Sequence, residues 1–111
     1  MKEPWFWIVS EIDPPAPQIH AIQRAVIAAF PCVTLNDINS ARRTPDVILP
    51  RHIAMFLCRE LTLRSYAAIG RKFGDRDSTT VHHAIGKIKG LIAADLVLAA
   101  KVKSIRMELA A

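Results

Sequence analysis

Between Ser65 and Ile88 the chain turns a corner in very few residues, and that corner limits the fold more than any other feature. Ser65 is a good helix cap, and Tyr66, Ile69 and Phe73 behind it form the buried stripe of a two-turn helix. Gly74 then stands where helices commonly end in a left-handed residue that only glycine adopts without cost. Asp77 caps a second helix, in which Val81, Ala84, Ile85, Ile88 and Ile92 recur at helical spacing. Two short helices about a glycine corner make a helix-turn-helix, with the second helix presenting its first turn outward.

The rest of the chain reads as helix too. Pro14, Pro15 and Pro17 bar helix interior, so residues 1–16 read as an arm and 17–111 as one domain. From Pro17 to Phe30, Ile19, Ile22, Val26, Ile27 and Phe30 make one apolar face, and Pro31 ends it. Thr34 caps a short helix over 34–38. Residues 39–50 hold two prolines and no period, so they read as a basic loop. Pro50 then opens a helix at a position where its missing N–H has no intrahelical partner anyway. That helix turns Ile53, Ala54, Phe56, Leu57 and Leu61 inward and leaves Arg51, Arg59 and Glu60 outside. Asp95 caps a last helix with Leu98, Val102, Ile105 and Leu109 inward. No stretch alternates like a strand. The expected architecture is all-α: a compact domain of five to six helices containing a helix-turn-helix.

The net charge of +5 is unevenly placed. Residues 42–89 hold ten basic side chains against four acids, a local balance of +6 that leaves −1 for the remainder. An anionic partner would therefore meet the middle of the chain. Cys32 and Cys58 lie in apolar stretches without a CxxC pair and read as buried, reduced thiols. The N-terminal apolar run is too short for a secretory core or a membrane span, which points to a soluble cytoplasmic protein with no membrane partner. Trp5-Phe6-Trp7 in the arm is either a cover for core surface or a docking peptide for another protein.

Catalytic readings find little support. His82 and His83 are adjacent, and neighbours on a helix point about 100° apart, so with His52 and Cys58 they make a poor metal set. Ser78 and His82 sit four apart like a nucleophile and its base, but no third member or oxyanion hole accompanies them. The chain is expected to be no enzyme and to need no cofactor.

The run "PRHIAMFLCRELTLRSYAAIGRKFGDRDSTTVHHAIGKI" is similar to the C-terminal DNA-binding domain of DnaA, the bacterial chromosomal replication initiator. The likeness rests on P-R-x-I-A-M-x-L, E-L-T, S-x-x-x-I-G-x-x-F-G and R-D-x-T-T-V-x-H-A-x-x-K-I, in order and at matching spacing. It is dense over some forty residues and extends over 17–95. The resemblance implies double-stranded DNA as partner, with binding at DnaA-box-like sites in the service of replication initiation or transcription. It implies that Arg43 enters a minor groove beside Arg42, and that Asp77, Ser78 and Thr79 face base edges in the major groove. Backbone phosphates would fall to Arg42, Arg51, Arg59, Thr62, Ser65, Arg76, Thr80, His83 and Lys87.

Departures from the family pattern qualify this. Ser78 replaces a base-reading histidine, a loss worth about 1–3 kcal/mol of discrimination if the contact is good. Pro45 and Leu49 stand where basic residues are common, and Asp75 replaces a glycine. The chain holds no GxxxxGK[ST], so no bound nucleotide is expected and the chain reads as a stand-alone DNA-reading module. A second reading keeps the fold but assigns its work to binding replication-initiation or regulatory proteins through the aromatic arm. Ser78, Pro45 and Asp75 favour that reading; Arg43, Asp77, Thr79 and Thr80 favour DNA.

Overall fold

The computed structural model describes residues 18–110, and the expected arm with Trp5-Phe6-Trp7 lies outside them. Six helices follow in order: α1 (Ile19–Ala29), α2 (Leu35–Asn39), α3 (Pro45–Leu61), α4 (Tyr66–Lys72), α5 (Ser78–Ala94) and α6 (Leu96–Ala110). There is no strand among the described residues.

Helix α3 is the axis of the domain. Ile53 through Cys58 are buried on every side, because α1, α2, α4 and α5 all pack against it. Helix α6 closes the bundle on α1 and α5 with Leu98, Val102 and Ile105. The α4–α5 pair contributes Ile69, Phe73, Val81, Ile85 and Ile88 to the same core. Phe73 is fully buried, and truncating such a ring costs about 3–5 kcal/mol.

The helix ends explain where the elements stop. Thr34 and Asp37 form a reciprocal capping box at α2. The Ser65 hydroxyl accepts from Ala68 N at 3.1 Å at α4. Asp95 Oδ1 accepts from Val97 N and Leu98 N at the start of α6.

Three sequence expectations need correction. Helix α3 starts at Pro45, not Pro50, so the loop is confined to residues 40–44 and Pro50 lies inside the helix. Pro45 meets the same N-terminal requirement, with Asp46 in the first turn, and burial of Val47 holds the added turn to the core. The bond that Pro50 cannot make would run to the carbonyl of Asp46, an exposed residue that water can reach. Cys32 is exposed in the turn after Pro31, while Val33 next to it takes the inward position. Cys58 is buried, and burial pushes its thiol up to about 12. Arg51, expected outside, is 3% exposed.

Candidate nucleic-acid interface

Helix α4 ends with Gly70 O accepting both Phe73 N at 3.1 Å and Arg76 N at 2.8 Å. Gly74 has φ +80° and Asp75 φ +61°, so two successive left-handed residues reverse the chain. A side chain at Gly74 would run into the carbonyl of Asn39 and the guanidinium of Arg76. Asp77 then opens α5, its Oδ1 accepting from Thr80 N at 2.7 Å. That backbone donor first, and the Thr80 hydroxyl second, hold the Asp77 carboxyl below its ordinary range. Because Val81, Ala84, Ile85 and Ile88 face the core, Ser78, Thr79, Thr80, His82, His83 and Lys87 are left exposed.

Two arginines hold the start of the short basic loop, Arg51 from α3 and Arg76 from this turn. Arg51 donates from Nε to Ile38 O at 2.7 Å, and from Nη2 to Asp37 O at 2.9 Å and Ser40 O at 3.0 Å. Arg76 donates to the carbonyls of Ser40 and Phe73. Ser40 O thus receives both guanidinium groups. Burial, then neighbouring Arg76 and Arg43, lowers the Arg51 guanidinium to about 10. Burial and Arg43 also lower Arg76. Both remain cations at neutral pH.

Between the loop and α5 runs a cleft of about 620 Å³. Asn39, Ser40, Ala41 and Arg43 form one wall, and Thr80, His83, Ala84 and Lys87 form the other. Ile48, Arg51, His52 and Met55 of α3 line it as well, with Gly74 and Arg76 from the turn. No acidic side chain lines the cleft among the described residues.

The structure therefore brings Arg43, Arg51, Arg76, Thr80, His83 and Lys87 together around one groove. Asp77, Ser78 and Thr79 stand exposed at the tip of α5. Arg42 is also exposed but pairs with Asp37 at 3.2 Å. Arg59, Thr62 and Ser65 form a separate group at the α3–α4 corner, outside the cleft lining. There Arg59 lies 4.3 Å over the Tyr66 ring and donates to Arg64 O at 2.9 Å. Tyr66 meets His82 edge to face at 5.1 Å, so α3, α4 and α5 are linked by one stack. Thr62 is 7% exposed and donates its hydroxyl to Cys58 O at 2.6 Å, which places it inside the corner rather than on its surface.

Sequence reasoning passed over His52, which it weighed only as a metal ligand, and Gln23, which donates to Asn39 Oδ1 at 3.3 Å and Lys72 O at 3.0 Å. The signal for His52 lay in helical register. With α3 begun at Pro45, residues 48, 51, 52 and 55 share one face. His52 is half-buried, and burial first, then Lys87, Arg51 and Arg76, pushes its imidazole down to about 4.

The profile of a family described as "Bacterial dnaA protein helix-turn-helix" matches residues 19–88, well over half of the chain. The chain belongs to this family. It is an all-α, DNA-binding helix-turn-helix domain of the DnaA type. It is 45% identical over 97 residues to the chromosomal replication initiator protein DnaA of Rhodopseudomonas palustris strain BisB5, covering 87% of this chain and 20% of that protein. The DnaA of strain TIE-1 is 43% identical over 102 residues, covering 92% of this chain and 21% of the relative. The same figures hold for the DnaA of Bradyrhizobium sp. strain ORS 278. The chain thus spans about a fifth of the length of these relatives. No helix among the described residues is long and apolar enough to cross a membrane.

Proposed function

We propose that this domain binds double-stranded DNA at DnaA-box-like sites, and so takes part in regulating replication initiation or transcription. The observation that carries the reading is a cationic cleft, lined by no acid among the described residues, with an exposed arginine on one side and an exposed Thr79 tip on the other. A duplex offers the matching shape: a sugar-phosphate strand with the major groove on one side and the minor groove on the other. With the strand along the cleft, Thr80, His83, Lys87 and Arg76 face phosphates. Arg43 enters the minor groove, and Asp77, Ser78 and Thr79 enter the major groove.

Arg51 works differently from the other basic residues in this scheme. Its Nε and Nη2 are committed to carbonyls, so it builds the loop wall and adds positive field. Arg59 and Ser65 meet the backbone beyond the cleft. The matched region is a helix-turn-helix and not a catalytic domain, which favours a binding role over an enzymatic one.

The test is fluorescence anisotropy with a box-containing duplex and a scrambled one across a salt series. The box should bind more tightly, and affinity for both should fall steeply with salt. Arg43→Ala should lower discrimination by about 1–3 kcal/mol while the melting temperature stays put. Equal affinity for both duplexes, unmoved by Arg43→Ala, would reject sequence reading.

A further inference from the structure

His52 stands out among the residues lining the cleft because its charge is set by its surroundings. Every element around the cleft turns basic groups toward it: Arg43 from the loop, Arg51 from its own helix, Arg76 from the α4–α5 turn, and His83 and Lys87 from α5. No acid lines the cleft among the described residues to offset them. A half-buried imidazole in such a place is neutral in the free protein at neutral pH, since both burial and like charge disfavour a proton there. A phosphodiester reverses the second effect, because it sets a permanent negative charge among the cations.

We propose that His52 is a further phosphate ligand of this cleft and that in mildly acidic medium it binds as the imidazolium, so that seating a duplex there takes up a proton. This inference rests on the cleft being the track of the sugar-phosphate strand. One N–H bond forms on the His52 ring, the proton comes from the buffer, and the charge facing the strand rises by one. Duplex binding then tightens as the medium turns acid, through a residue four positions along α3 from Ile48 and next to the arginine that builds the loop wall.

The expected size follows from linkage. An imidazole carried from about 4 in the free protein to about 6.5, its ordinary value, tightens binding roughly 30-fold between pH 8 and pH 5. The experiment measures duplex affinity of the full chain at constant ionic strength over that range, for the native protein and for His52→Gln. Glutamine keeps a hydrogen-bonding group but cannot take up the proton, so whatever the offset between the two proteins at pH 8, it should widen roughly 30-fold by pH 5. His20, His82 and His83 are common to both, so the growing gap between the curves isolates His52. Curves that run parallel overturn the proposal.

A second measurement needs no variant. The ring proton resonance of His52 in the native protein should titrate near 4 alone and at least one unit higher with the duplex bound. An unmoved midpoint overturns the proposal even where His52→Gln folds poorly. Failure of the native protein to bind any duplex at any pH is a different result: it removes the backbone-track reading, and this inference with it.

Discussion

Arg43 and Arg51 belong to the same basic stretch, yet they do opposite things. Arg43 is exposed and ends on the cleft wall, whereas Arg51 is buried and joins three backbone carbonyls at the end of α2. Counting charge treats the two alike. The difference is one of geometry: a guanidinium offers five donors in a fixed plane, and the last carbonyls of a short helix need donors. Arg51 answers a need created by a five-residue helix that has too few turns to satisfy its own ends. On the proposed reading, a cation of this domain is free to meet DNA only where no carbonyl has claimed it.

That contrast is easiest to break at Arg51. Arg51→Ala leaves three carbonyls without their donor and should cost about 3–5 kcal/mol in urea unfolding. Arg51→Lys is the sharper test, because it keeps the charge but cannot span three acceptors. It should recover less than half of the loss. A lysine variant that melts like the native protein and merely binds DNA less tightly would show that Arg51 is a surface contact after all.

The second test acts on the seam that Arg51 and Arg76 share. Gly74 sits at φ +80°, and an added methyl would meet Asn39 O and the Arg76 guanidinium. Gly74→Ala should lower stability by about 2–3 kcal/mol, part of it from the left-handed backbone and part from pushing loop and turn apart. The damage should be local. Amide exchange should quicken at Ser40–Thr44 and Arg76–Thr80 before it quickens in α6. Uniform acceleration would mean that the loop and the turn are not one unit.

Much of this could be read without coordinates, for identifiable reasons. The α4–α5 pair is bounded by Ser65, Gly74 and Asp77, each with a local mechanism, and its core residues recur at helical spacing. Tertiary packing had nothing to overrule there. The stretch before α3 was harder, because Pro45 and Pro50 are both admissible helix starts. The choice fell to burial of Val47, a contact between segments that local pattern does not contain. Starting the helix at Pro50 left Ile48 off the face it shares with Arg51, His52 and Met55, and helical spacing alone does not show that the charged Arg51 on that face turns inward to backbone carbonyls. The candidate base-facing residues came from family likeness, and the structure adds their exposure and their position beside the cleft.

The smallest effect concerns Asp77, the acid at the edge of a cationic site. Its Oδ1 caps α5, and its second oxygen is the one that can accept from a cytosine amino group in the major groove. Asp77→Asn keeps an acceptor for the cap, so at pH 7 the melting temperature should hardly change. Acid separates the two proteins. The Asp77 carboxyl is held below its ordinary range chiefly by the Thr80 N–H, so its contribution is present above the unfolded carboxylate value and is lost as pH falls through the folded one. The native protein should therefore lose this increment below about pH 4, while Asp77→Asn does not. On DNA the amide also carries donors, so discrimination at the cytosine position should fall by about tenfold. If discrimination survives in Asp77→Asn and only the acid profile flattens, Asp77 is a cap alone, and base reading passes to Thr79 and Arg43.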